Sequence, residues 1–422
     1  MTRPETISEK ILSAKSKTAA RAGDTVVCTV DWVIGTDASS PMAIDYFEQM
    51  GGHRLVNPDR VVFSFDHYSP PTTAKTQAFH DRVRAFIGHH GGQLYDVGEG
   101  ISHQVIVERG DVLPGDLVVG ADSHTVTCGA LNLFATGIGS SDLAAAMLTG
   151  QIWLRVPETI RVRLVGQRTT GLAAKDVALT LVGLVGANGA NYQAIEFDGP
   201  ALHQFPLEDR LVLSNLAVEM GAKAAIFPAD DQMYAYLAGR TAERGFPVTA
   251  DPGARYSREI VIDVSTLSPR VALPHAPDNV AALDDALGLP IQMVFIGTCT
   301  GGRVPDVHEV IDVLRRGGGR LAPDVQLVVT PVSREVERRL TDDGSLDTLR
   351  AMGATITTPG CGACCGTSGV IPTERTNVLS TANRNFKARM GQASASIYLA
   401  SPAACAAAAL TGRITDPQAV GG

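Results

Sequence analysis

No apolar run in the chain reaches the roughly 18 residues that a membrane-spanning helix needs, and no long run of lysine and arginine is present. With 36 basic against 44 acidic residues and a net charge of −8, a dedicated nucleic-acid or membrane-surface binder is not expected. Low-complexity linkers and short tandem repeats are also missing. The stretch Met1–Lys17 carries Glu5 and Glu9 and lacks the apolar core of a secretory leader, so a mature, cytoplasmic N-terminus is expected. Cysteines number seven, an odd count in a chain of 422 residues, which argues against a disulfide scaffold.

What is present is a globular composition, 45% hydrophobic, long enough for two to four domains at roughly 150 residues each. Strand-like runs alternate with helix-like runs, the pattern of an α/β protein. Arg60–Phe65, Asp116–Gly120, the run ending at Ile296, Ala354–Thr358 and Asn377–Ser380 read as buried strands. Val304–Arg316 places Val307, Val310, Ile311 and Leu314 on one helical face and stops at Gly317. Ser401-Pro402, Ala403–Leu410 and Gly412 read as a cap, a first-turn proline, an Ala-rich helix and a stop. Breaks near 175 and 270–285 divide the chain into 1–175, 176–275 and 276–422.

The chemically loaded residues follow these strands directly. Asp66 and His67 follow the first, Asp122-Ser123-His124 the second, Cys299 the third, Cys361 and Cys364 the fourth, and Asn383 and Arg384 the fifth. Open α/β sheets bind ligands beyond the carboxyl ends of their strands, so one cleft shared between domains is expected. By residues alone, Cys361-x-x-Cys364 with Cys299 reads as a catalytic iron–sulfur cluster, a zinc site with Cys365 or a histidine as fourth ligand, a redox pair, or inert thiols. A three-thiolate cluster keeps one iron open to act as a Lewis acid. Asp66-His67, His103, Asp122-Ser123-His124 and Glu219 are the acid–base candidates, because a carboxylate beside an imidazole fixes its tautomer and raises its pKa. Arg384 and Arg389 supply planar forks for carboxylates. Together these features point to a polycarboxylate substrate.

The segments FDHYSP (65–70), YDVGEGISHQVIVERG (95–110), LPGDLVVGADSHTVTCGAL (113–131), FATGIGSSD (134–142), AAKDVAL (173–179), SNLAVEMGAKA (214–224), IGTCTGGR (296–303), TPGCGACCG (358–366), TANRNFKARMG (381–391) and IYLASPAACAAAAL (397–410) together make the sequence recognisable. It resembles the aconitase superfamily, and within it the large subunits of 3-isopropylmalate dehydratase and homoaconitase of the short prokaryotic type. The resemblance implies three α/β/α domains around a central cluster-containing cleft, without the swivelling fourth domain of full-length aconitases. It implies a [4Fe–4S] cluster on Cys299, Cys361 and Cys364 with one open iron, and a hydro-lyase acting on a hydroxy polycarboxylate. Asp66-His67 would protonate the departing hydroxyl, and His103 with Glu219 would form a second hydrogen-bonded pair. Asp122, Ser123 and His124 match the cleft DSH motif, Asn215 and Asn383 asparagines near the cluster, Arg384 and Arg389 the carboxylate-binding arginines, and Lys175 a cleft lysine. A small swivelling-domain subunit would bring the base and the distal carboxylate contacts.

Four positions depart from the family pattern: Gly301 where Asn is usual, Ala363-Cys364-Cys365 where Pro-Cys and a small or apolar residue are usual, Ala388 for Gly, and Asn132 for Gly. The ligand positions are unchanged. A dehydratase of another substituted malate, or a diverged metal-binding paralogue without catalysis, are the alternative readings. Cys28, Cys128 and Cys405 read as buried small apolar residues.

Overall fold

A computed structural model describes residues 3–421. Three sheets organise it. The first is wholly parallel, in the order Gln93–Tyr95, Val61–Ser64, Trp32–Thr36, Leu117–Gly120, Phe134–Gly137. Its inner strands are buried along their whole length, as Val/Ile-rich parallel strands covered on both faces must be. The second, also parallel, runs Ala224–Ile226, Ala194–Asp198, Thr159–Val165, Arg258–Asp263. The third has seven strands, with a parallel core of Ser396–Leu399, Asn377–Ser380, Met293–Gly297, Gln326–Thr330 and Thr355–Ile356. An antiparallel edge of Arg270–Ala272 and Val280–Ala282 completes it. A two-stranded ribbon, Thr25–Thr29 with Gln151–Arg155, flanks the first sheet. The expected α/β architecture of three sheet-centred units is present.

Because Thr159–Val165 already pairs within the second sheet, we place the first division between Gln151–Arg155 and that strand, N-terminal of the 175 read from the sequence. The strand expected over 354–358 is shorter, Thr355–Ile356. Thr357 N still donates to Val329 O at 2.9 Å, but Pro359 has no N–H with which to continue a ladder.

Helix Val304–Arg316 buries Val307, Val310, Ile311 and Leu314 as its periodicity predicts. Helix Pro402–Thr411 is capped by Ser401 Oγ, which accepts from Ala404 N, and ends at Gly412. Its alanines are buried against Val304–Arg316, and the small side chains let the two backbones approach closely. Cys28, Cys128 and Cys405 are fully buried, and burial pushes all three thiols up. Among the described residues no helix is long and apolar enough to cross a membrane.

Candidate active site

The loops at the carboxyl ends of the first and third sheets converge. Asp66 and His67 leave Val61–Ser64, and Asp122 caps the 3-10 stretch Ser123–Leu131 beyond Leu117–Gly120. Cys299 sits in the 3-10 turn Thr298–Thr300 after Met293–Gly297, and Cys361 caps the start of the turn Gly362–Cys365, which contains Cys364. Gly360 permits the approach of this turn to the first sheet. Its φ is +146°, and a Cβ there would meet Asp66 O at 2.9 Å. The adjacent Cys361 N donates to that same carbonyl at 2.8 Å. The Cys361 sulfur lies within 4.8 Å of the Asp66 carboxylate and the His67 ring.

Asn383 ties the cysteines together. Its Nδ2 donates to Cys299 Sγ at 3.2 Å and to Asn215 Oδ1 at 3.2 Å, while Cys364 Sγ donates to its Oδ1 at 3.5 Å. Asn215 Nδ2 in turn donates to Thr127 Oγ1 at 2.8 Å. Asn215 is fully buried and orients Asn383. Burial pushes the Cys299 thiol up to about 12 and raises Cys361, whose largest influence is the neighbouring Cys365 thiol. Two thiols on one amide, in a place dry enough to disfavour free thiolates, with Cys361 in the same turn as Cys364, fit a metal group that replaces the thiol protons.

The imidazoles are sorted by their neighbours. His67 Nδ1–H donates to Asp66 Oδ1 at 2.7 Å, and its Nε2 lies 3.4 Å from Asp122 Oδ2. Burial opposes its charge, but Asp66, and then the Cys365 thiol and Asp122, outweigh burial and hold its pKa well above the usual value. His103 is the opposite case. Both ring nitrogens are buried without a partner, and desolvation with the nearby His124 lowers it to about 4 against the pull of Asp122. Desolvation would raise the half-buried Asp122, yet His124, His67 and His103 hold it well below the carboxylate range.

Glu219 does not pair with His103, as the resemblance implied. It accepts from His124 Nε2 at 2.9 Å and from Arg384 Nε at 2.8 and 3.1 Å. Arg384 Nη2 also donates to Ser123 Oγ at 2.9 Å. Arg389 faces Cys364, and its Nε is buried without a hydrogen-bond partner, a donor that a bound carboxylate would satisfy. Lys175 is not open to the cleft. Its Nζ donates to Thr381 O at 2.7 Å and Ala382 O at 2.6 Å, clamping the backbone just before Asn383. Burial lowers its pKa to about 8.

Two residues absent from the sequence reading support the site. Asp37 follows strand Trp32–Thr36 and accepts from the backbone N of His67 at 3.1 Å and of Tyr68 at 2.8 Å, and from His80 Nε2 at 3.1 Å. It obeys the same strand-end rule that found Asp66. Arg303, in the IGTCTGGR segment, is buried and donates from Nε to Gln104 Oε1 at 3.0 Å, next to His103 in helix Ser102–Glu108.

The model of the aconitase family (aconitate hydratase) matches residues 9–290 and 284–412. The 3-isopropylmalate dehydratase large subunit 1 of Methanopyrus kandleri is 45% identical over 415 residues, covering 98% of this chain and 99% of that one. Its counterpart from Thermotoga maritima is 42% identical over 417 residues, with 98% and 99% covered. The chain belongs to the aconitase family.

Other relatives in the family carry a different substrate name. The probable methanogen homoaconitase large subunit of Methanosarcina mazei is 40% identical over 396 residues, 94% of this chain and 100% of that one. Among solved structures, holo aconitase X of Thermococcus kodakaraensis aligns over 90% of this chain and 88% of its own, with a TM-score of 0.50 and 14% identity, a likeness of fold alone.

The departures from the family pattern have local causes. A side chain at Gly301 would run into Thr381, which is held by Gly297 N donating to its Oγ1 at 2.8 Å. Asn132 has φ +59°, a left-handed conformation that Asn tolerates. Its amide also stitches two distant segments, donating to Phe227 O and Val248 O at 2.9 Å each. Ala388 is left-handed at φ +65°, which explains why glycine is usual there.

Proposed function

We propose that the chain is the large, catalytic subunit of a hydro-lyase that dehydrates and rehydrates a hydroxy polycarboxylate such as 3-isopropylmalate or homoaconitate. The names of its relatives, matched over nearly their full length, support this reading, and they imply a small-subunit partner. Family membership implies an iron–sulfur cluster. Cys299, Cys361 and Cys364 are the residues that would hold it, as a [4Fe–4S] group with one iron free of protein ligands. When bound, such a group supplies a Lewis acid toward a hydroxyl and a carboxylate. Thiolate ligands suit the reducing cytoplasm.

The remaining steps belong to side chains. Arg384 and Arg389 bind substrate carboxylates, with Ser123 and Glu219 setting the plane of Arg384. His67, held charged between Asp66 and Asp122, gives its proton to the departing oxygen and takes it back on rehydration. Neutral His103 and the ionised Asp122 line the same floor. Asn383, Asn215 and Lys175 position the loop that carries the arginines. The small swivelling subunit brings the base that removes a proton α to a carboxylate, and contacts to the distal carboxylate.

The observation that carries the proposal is the adjacency of Asn383 and Arg384. One touches two of the candidate ligands, and the next reaches Ser123 and Glu219. The test is iron and acid-labile sulfide per chain after anaerobic purification, then hydro-lyase turnover with the small subunit added. Close to four of each is expected, with a three-iron EPR signal on mild oxidation. Cys361→Ser should abolish the iron content. Zinc, or an iron-loaded Cys361→Ser protein, would overturn the assignment.

A further inference from the structure

Cys365 has no part in the proposed chemistry, yet it lies at the metal-site turn. Its Sγ is 2.7 Å from Thr367 Oγ1, 3.6 Å from Gly362 O and 3.8 Å from His67 O. These contacts hold the sulfur on the His67 side of the turn, the side where the Cys361 sulfur also lies. Each of these two thiols is the largest influence on the other's ionisation. Cys364, although adjacent in sequence, is turned to Asn383 instead. Gly362 and Gly366, at φ +53° and +70°, bracket the turn. Ala363 stands within it where a proline would fix φ, so the turn has the freedom to tighten.

We propose that Cys365 is a covalent capture site for Cys361, closing a Cys361–Cys365 disulfide when a hydroperoxide strips the metal group from the cleft. The inference rests on the reading of Cys361 as a cluster ligand. Peroxide first oxidises the Cys361 thiol to a sulfenic acid, releasing one water. The Cys365 sulfur then attacks the Cys361 sulfur, so that the S–S bond forms and the S–OH bond breaks. Hydroxide leaves with the Cys365 proton as a second water. Two electrons pass from the two thiols to peroxide. The product is returned to two thiols by a small dithiol, whereas a sulfinic or sulfonic acid on Cys361 would be beyond such rescue. Cys365 thus keeps a ligand position recoverable.

The test uses anaerobically purified, cluster-loaded protein exposed to hydrogen peroxide until its iron is released. Free thiols are then blocked with one alkylating reagent. Thiols freed by reduction are labelled with a second, and the sites are located by peptide fragmentation. The second label is expected on Cys361 and Cys365, and the first on Cys364. Dithiothreitol with iron and sulfide should then restore the iron content. In Cys365→Ser, whose iron content before oxidation serves as the fold control, Cys361 should carry sulfinic or sulfonic acid and recovered iron should fall several-fold. A disulfide between Cys361 and Cys364, or equal over-oxidation of Cys361 with and without Cys365, would overturn the proposal. Protein isolated without iron and sulfide would sink the cluster reading separately. The same mapping on that metal-free protein still decides the disulfide, which needs only the two thiols.

Discussion

Glu219 grips Arg384 with both carboxylate oxygens, 2.8 and 3.1 Å from Nε. The first of those oxygens also accepts from His124. Burial alone would raise the Glu219 carboxyl, but His124 and then Arg384 outweigh burial and hold it below its ordinary value. The anion is therefore fixed in place, and with it the plane of the guanidinium. Lysine carries the same charge but gathers its donors on one nitrogen, so it lacks the planar fork that reaches Glu219 from Nε and Ser123 from Nη2 with donors left for a substrate carboxylate. Arg384→Lys should lower kcat/KM by about tenfold or more, with KM taking the larger share and iron content unchanged. Steady-state kinetics with the small subunit present would check this, and unchanged kinetics would remove Arg384 from the carboxylate site.

His67 gives a prediction with a pH axis. Its charged form is favoured by Asp66 and Asp122 against burial, so the proton donor persists through neutrality. The activity limb that reports loss of this proton should lie on the alkaline side of pH 7. Asp66→Asn removes the largest stabilising charge, so the limb should move to lower pH. His67→Ala should lose about 10²–10⁴-fold in kcat while keeping its iron. A pH profile of the Asp66→Asn protein that coincides with the parent's would exclude His67 as the group being titrated.

Much of this site was legible because one geometric rule, chemistry at the carboxyl ends of parallel strands, fixes where backbone turns face the cleft. It located the cysteines, Asp66-His67, Asp122–His124 and Asn383-Arg384, and applied to Trp32–Thr36 it would have found Asp37. It says nothing about which imidazole meets which carboxylate. Glu219 reaches His124 across 95 positions of chain, and that choice depends on side-chain directions set by the packing of separate elements. Lys175 shows the same limit, since a lysine read as cleft-facing turns inward to two backbone carbonyls. Strand Thr159–Val165 was missed for another reason. Arg161 and Arg163 interrupt its apolar pattern, and both are neutralised by Asp198 on the neighbouring strand.

The left-handed Ala388 should be a removable strain. A Cβ at φ +65° costs about 1–2 kcal/mol, partly offset because alanine restricts the unfolded chain more than glycine does. Ala388→Gly should therefore raise stability by about 1 kcal/mol in urea unfolding. A loss of stability would show that the Cβ makes compensating contacts at the mouth of the arginine loop.

The last prediction concerns a cavity of about 1100 Å³ behind the site, lined among others by Lys175, Thr300, Asp306 and Glu309. Burial first, and then the charges of Asp306 and Asp176, raise the Glu309 carboxyl to about 7, with Arg168 opposing. The folded protein thus keeps a proton that the unfolded chain, with its ordinary glutamate, releases near pH 4.5. Stability from this group is fully present below about pH 4.5 and is lost as pH rises through about 7. Glu309→Gln keeps the shape and removes the ionisation. It should exceed the parent by about 1–2 kcal/mol at about pH 8, allowing for partial exposure of the side chain. That gap should close as pH falls toward about 5. Urea midpoints measured across this range read the effect directly. A gap independent of pH would mean that Glu309 is ionised throughout, its charge met by Arg168.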